Sequence, residues 1–381
     1  MPNTDQQRLS LPAAVYLGIV GSSVLLILPV FVGTVLQIQS IGTERAGWLG
    51  SGDLIGYALG SLVAFRLIAR VSWRTLATSG LVLMIVGNLI SILASDFFLS
   101  LFVVRVGLTG LGAGLVIAVP YNALGSMPDS ERSTGLYWTF NVLGGSAALL
   151  IFPLIAQQFG PGALFGALAI LAASAIPVAL TASSSGDAKE TGTDDRSGTL
   201  FTGLGATEII MLCSIALFNL GLGGVWAFID RPALSLGLSG QTIGWILSGT
   251  YLVCMLGSGT ATLQGRRLGL IAPYVGAMLL VATATILLSQ ASTILIYIAV
   301  VATINFCWNY SMTYQFLAVF ETSTSKHTAT LIFFAQSMGL MFGPALSGMI
   351  SQRASVHTSF LVAAALCLAS AALYRLGFSK N

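Results

Sequence analysis

Residues 13–36 contain no charged side chain, and residues 294–304 repeat the pattern. A bilayer core about 30 Å thick takes roughly 20 apolar helical residues to cross. Barrel strands would instead alternate apolar and polar residues in pieces of about ten. The runs here are continuous, so they are read as membrane-spanning helices. Composition agrees, since 55% of the 381 residues are hydrophobic and only 8% are charged. A soluble domain carries about 25% charged residues. This chain cannot cover its own surface with polar groups, and most of that surface must face lipid.

Breaks at polar, Gly and Pro clusters predict twelve helices, near 13–36, 46–68, 75–95, 97–119, 133–157, 161–182, 206–229, 241–263, 270–289, 292–317, 327–350 and 356–377. The one long polar stretch, SSSGDAKETGTDDRSGT at 183–199, has the composition of a flexible connector. It divides the chain into a bundle of six helices at 1–182 and a second at 200–381. With the N-terminus inside, twelve of the sixteen Lys and Arg fall in inner loops and tails. Only Arg45, Arg231 and Arg353 fall outside, and Arg105 lies within a helix. The positive-inside bias therefore places both termini in the cytoplasm of a plasma (inner) membrane protein. The N-terminal residues lack the pattern of a cleaved signal peptide, so the first apolar segment is expected to be a retained helix. Cys213, Cys254, Cys307 and Cys367 are scattered in apolar segments and form no CxxC pair.

The two halves repeat. AGWLGSGDLIGYALGSL (46–62) aligns with IGWILSGTYLVCMLGSG (243–259), pairing Gly47, Trp48, Ser51, Gly52 and Gly60 with Gly244, Trp245, Ser248, Gly249 and Gly257. A second match pairs Leu136, Asn141 and Gly144 with Leu331, Gln336 and Gly339. Two six-helix halves in parallel repeat form one known transporter architecture, with the substrate site near the midplane. On these residues the chain resembles the major facilitator superfamily over essentially its whole length. The family's loop motif after helix two, G-x-x-x-D-R-x-G-R-R, is degenerate in GSLVAFRLIARVSWR (60–74). Gly60, Arg66, Arg70 and Arg74 stand, but Ala64 replaces the Asp. Gly265-Arg266-Arg267 copies the basic end better, and RVGLTGLGAG (105–114) resembles the family's helix-four motif with its glycines one position late. The resemblance implies an all-α membrane protein, two pseudo-symmetric six-helix bundles that move small organic solutes.

Ionisable groups inside membrane helices are functional candidates by default. Asp53 and Arg105 lie about 10 and 12 Å below the outer ends of their helices at 1.5 Å per residue. Equal depth predicts an ion pair. The repeat places Thr250 opposite Asp53 and Val301 near Arg105, so the second half builds its scaffold without either charge. Asp53 is thus expected to be a proton-coupling carboxylate, taking up its proton when Arg105 is drawn toward an anionic substrate. A structural salt bridge is the plainer alternative. Tyr57, one turn on, is expected to hydrogen-bond Asp53, and glycines at 52, 56 and 60 form a small-residue stripe for close helix packing.

The tenth helix, NFCWNYSMTYQF (305–316), places Asn305, Trp308, Asn309 and Met312 on one face. Amides facing lipid are costly, so this face is expected to line a cavity. Trp138, Asn141, Asn219, Trp226 and Gln336 offer similar groups, with interhelical hydrogen bonding as the plainer reading. Glu208 is expected at a helix N-terminus, Asp230 and Arg231 at an outer helix end, and His327 and His357 at solvated ends. No phosphate-binding P-loop, HExxH or GxSxG is present. No enzyme, cofactor, metal or nucleic acid is therefore expected. The reading is a monomeric secondary transporter of a small organic solute, expected to be coupled to protons because Asp53 is its best titratable group. The alternatives are an exporter of amphipathic, drug-like compounds and a transport-inactive sensor.

Overall fold

The computed structural model describes residues 9–38, 41–68, 70–94, 97–182, 204–322 and 328–379. The polar segment expected to be a linker, 183–199, lies outside the described residues, as does His327. Among the described residues every regular element is helical. Twelve spans follow one another as the sequence predicts. In the first half they are Leu11–Val35 in three pieces, Thr43–Leu67, Trp73–Leu93, Phe98–Gly125, Ser130–Phe159 and Gly162–Leu180. In the second half they are Ala206–Phe228, Gly240–Gln264, Ile271–Ser289, Ile294–Thr322, Thr328–Arg353 and Val356–Ser379. Among the described residues, nine helical stretches are long and apolar enough to cross a membrane on length and composition alone.

The first span departs from the single helix predicted at 13–36. It consists of Leu11–Gly21, Ser23–Leu26 and Leu28–Val35, with breaks at Ser22 and Ile27. Pro29 sits in the first turn of the third piece and brings no N–H to the carbonyl four residues back. At the other break the Ser22 hydroxyl donates to the Gly18 carbonyl at 2.7 Å, a back-bond that often bends helices. Pro177 interrupts the sixth span in the same way, after Ala175. The fourth span holds a π-helical turn at Arg105–Gly110.

The chain forms two compact units, Met1–Gly42 with Trp48–Thr191, and Thr43–Gly47 with Gly192–Asn381. In the first, the glycine stripe of the second span meets the fourth. A Cβ at Gly56 would overlap the Val106 carbonyl oxygen, and one at Gly60 the Leu111 carbonyl oxygen. Gly110 and Gly114 return the contact against the carbonyls of Asp53 and Tyr57. In the second unit, Gly257 faces the Phe306 carbonyl in the same way. The aligned pair Gly60 and Gly257 thus makes one and the same helix–helix contact in each half. Gly223 and Gly224 meet Leu340 and Gly343 across the seventh and eleventh spans. Glycine there admits a backbone that any side chain would push away.

Candidate functional site

Close approach of the second and fourth spans is what lets a carboxylate as short as Asp53 reach across. Its neighbours Gly52 and Gly56 meet Phe102, Val106 and Gly110 with no intervening side chain of their own. Arg105 Nε donates to Asp53 Oδ2 at 2.7 Å. Asp53 is 3% exposed and Arg105 fully buried. The ion pair read from equal depth is therefore formed, and both charges are out of solvent.

Other groups complete the site. Asn88, on the third span, accepts from Arg105 Nη1 at 2.8 Å. Its own Nδ2 donates to the Met84 carbonyl at 2.8 Å, which holds Oδ1 toward the arginine. Thr109 Oγ1 donates to Asp53 Oδ1 at 2.8 Å and stands 2.8 Å from the Arg105 carbonyl. The guanidinium carbon lies 4.9 Å from the Phe31 ring centre and 5.5 Å from that of Phe165. Such distances are within cation–π range. Five spans of the first unit thus converge on one buried cation.

A small cavity of about 20 Å³ opens beside Asp53, about the room that one water needs. Its walls include the interrupted turn at residues 21–25, Tyr57, Asn88 and Thr109. The expected bond from Tyr57 to Asp53 is not formed. The two carboxylate oxygens are taken by Arg105 and Thr109, and the Tyr57 hydroxyl interacts with Tyr121. Tyr121 meets Tyr137 and Trp138 at ring-centre distances of 5.8 and 6.3 Å. Trp138 is exposed at its edge of this cluster, while Asn141 is buried.

In the second unit the candidates fall into separate places. Trp226 stacks on Tyr251 at 5.6 Å and meets the edge of Trp308 at 6.0 Å. Asn309 lies on the same helix face as Trp308 and is half-buried. Asn219 donates to the Ile215 carbonyl of its own helix at 2.8 Å. Asn305 is fully buried, and neither of its amide atoms has a hydrogen-bond partner among the described residues. Gln336 donates to Gln315 at 2.9 Å, an interhelical bond that matches the plainer reading. At the margins, Glu208 accepts from the Gly205 N–H at 2.7 Å as a helix cap. Asp230 pairs with its neighbour Arg231, and His357 is exposed. Asn88, Thr109, Phe31, Phe165, Tyr251 and Gln315 were not among the residues singled out from sequence.

No protein-family model matches the sequence, and no curated protein sequence matches it. Solved structures do. A bacterial homolog of the human lysosomal transporter Spinster superposes with a TM-score of 0.79 at 14% identity, covering 99% of this chain and 98% of that one. The nucleoside transporter NupG gives 0.78 at 13%, covering 97% and 99%. The xylose transporter XylE from E. coli gives 0.75 at 12%, covering 97% and 98%. The chain has the major facilitator fold.

The π turn of the fourth span explains why its glycines come one position late. In the π turn at Arg105–Gly110 the Leu111 N–H donates to the Val106 carbonyl, five residues back. A π turn closes i to i+5 bonds, so it absorbs one extra residue within a helix and often marks a functional position. Gly110 and Gly114 therefore still face Gly56 and Gly60. Arg105 sits at the first position of that turn. In the loop motif, Ala64 is fully buried where the motif has its Asp.

Proposed function

We propose that the chain is a secondary active transporter of a small organic solute, working by alternating access and driven by protons bound at Asp53. The observation that carries this reading is the buried Asp53–Arg105 pair, present in one half of a repeated scaffold. Its counterpart position, Thr250, returns its hydroxyl to the Ile246 and Leu247 carbonyls of its own helix. The helix–helix contact is kept there without a charge, so packing does not require the pair. Taking two charges out of water costs several kcal/mol per ion before pairing. A carboxylate held at that cost inside a membrane suits a group that must change its charge. The neighbours' solutes are consistent: NupG is a nucleoside transporter, and another match is a D-xylose-proton symporter.

Arg105 is engaged on Asp53, Asn88 and two rings. That weighs against Arg105 as a ready binder of organic anions. The aromatic groupings Tyr121–Tyr137–Trp138 and Trp226–Tyr251–Trp308 favour a solute with a flat or apolar face. This is the specific support for the second reading, export of an amphipathic compound. The proposed setting is the inner membrane, as a monomer with both termini in the cytoplasm, and no cofactor.

The test is proton flux in proteoliposomes enclosing a pH-sensitive dye. The purified chain is challenged with uridine, D-xylose, benzoate and the aromatic cation ethidium, one at a time under an imposed pH gradient. At least one class is expected to accelerate the internal pH change and to accumulate against its own gradient. Proton flux that none of the four accelerates, with no accumulation, favours a transport-inactive sensor.

A further inference from the structure

Thr109 has one hydroxyl proton and two acceptors in reach. Asp53 Oδ1 and the Arg105 carbonyl each stand 2.8 Å from Thr109 Oγ1. A hydroxyl carries one donor and two acceptor lone pairs, so it satisfies only one of these oxygens at a time. The bond to the carbonyl four residues back is by itself ordinary for a threonine inside a helix. The second acceptor, a buried carboxylate on another helix, is what makes the position unusual.

The two oxygens of Asp53 are not equivalent. Oδ2 faces Arg105 Nε at 2.7 Å, and an arginine donates from that atom in every protonation state found in proteins. A proton on Oδ2 would stand against that N–H. Oδ1 faces a hydroxyl, which can donate or accept. The groups near Asp53 are Arg105 and Thr109 from the fourth span and Asn88 from the third. Ser22 and Ser23 at the break of the first span and Tyr57 of its own helix complete the set. Arg105 is the charged one among them.

We propose that Thr109 is the positioning residue for the proton step: the proton enters at Asp53 Oδ1, and the Thr109 hydroxyl reverses to accept it. This rests on the reading of Asp53 as the proton-binding group. With Asp53 ionised, Thr109 O–H donates to Oδ1, a bond strengthened by the carboxylate charge. With a proton bound, Oδ1–H donates to Thr109 Oγ1, and the Thr109 O–H turns to the Arg105 carbonyl. Oδ2 goes on accepting from Arg105 Nε as a neutral carbonyl oxygen. One proton is added and no bond between heavy atoms changes. Both Asp53 oxygens and the Thr109 hydroxyl are hydrogen-bonded in both states, so the proton step leaves neither carboxyl oxygen unpaired. The reversal also hands a hydrogen bond to the first carbonyl of the π turn, which ties the charge state to helix four.

Infrared difference spectroscopy of the full-length protein in lipid vesicles tests this, by titrating from neutral to acidic pH. The carboxylic-acid C=O band that appears on acidification is assigned to Asp53 by its loss in Asp53→Asn. In the wild type that band is expected at the position of an acid whose O–H is hydrogen-bonded. Thr109→Val, which keeps shape and removes the hydroxyl, is expected to shift it to the higher frequency of an unbonded acid. Thr109→Ser is expected to restore it. Thr109→Ala is the second hydroxyl-free variant should the valine protein fail to fold. A band that titrates in the wild type but stays in place in Thr109→Val and Thr109→Ala overturns the Thr109 role and leaves Asp53 coupling standing. If no band assignable to Asp53 appears on acidification, the coupling reading fails, and the Thr109 role with it.

Discussion

Replacing Arg105 with glutamine is expected to destabilise the protein by about 3–5 kcal/mol, the range for removing one partner of a buried ion pair. The cost arises because Asp53 is left at 3% exposure with its main partner gone. Asn88 would lose the donor that its Oδ1 accepts from. The packing of the guanidinium against the Phe31 and Phe165 rings would go as well. The double variant Asp53→Asn/Arg105→Gln is expected to recover much of the loss, because removing both charges removes the uncompensated one. Thermal unfolding of the purified proteins in one detergent checks both. A double variant as unstable as Arg105→Gln alone would show that the arginine's packing, and not its charge, holds the site together.

Gly56→Ala is expected to destabilise by about 1–3 kcal/mol, the usual range for overpacking. The new methyl group would meet the Val106 carbonyl oxygen and the Gly110 Cα, and backbone atoms cannot swing aside as a side-chain tip can. Because those atoms flank the Asp53–Arg105 contact, the substitution also separates the pair. Gly166→Ala serves as the control. It lies in a helix where an added Cβ meets nothing within 4 Å. There the helix preference of alanine is expected to show as a gain of up to about 1 kcal/mol. Equal thermal stability for Gly56→Ala and the wild type would contradict the close helix contact.

The span count and the Asp53–Arg105 contact were legible because each is a strong local signal. A charge in an apolar run stands out, and rise per residue alone gives its depth. The rest of the site was not legible, for a physical reason. Asn88 and Thr109 are ordinary side chains in membrane helices, and their roles come from which helices neighbour one another. Phe31 and Phe165 look like any lipid-facing or core phenylalanine until the cation is placed against them. The π turn left a trace in the one-residue offset of the helix-four glycines, but that offset has a meaning only once the partner glycines are placed. Pro29 marks one break in the first span that the single-helix reading passed over, and the break at Ser22 has no comparable marker. Tyr57 shows the opposite error. Helical spacing put it on the face of Asp53, but spacing does not say which of two neighbours a hydroxyl will choose.

The proposed function has protons bound at Asp53 driving solute movement. The most direct measurement is solute-dependent proton uptake into proteoliposomes by wild type and Asp53→Asn, reconstituted at equal density with the solute that the flux screen identifies. Asp53→Asn is expected to abolish solute-driven proton movement and accumulation under a pH gradient. Exchange of labelled for unlabelled solute at equilibrium should persist, since the amide oxygen can still accept from Arg105 Nε and exchange moves no net proton. Proton-coupled accumulation at wild-type rates in Asp53→Asn would contradict the proposed function and leave the buried pair a structural clamp.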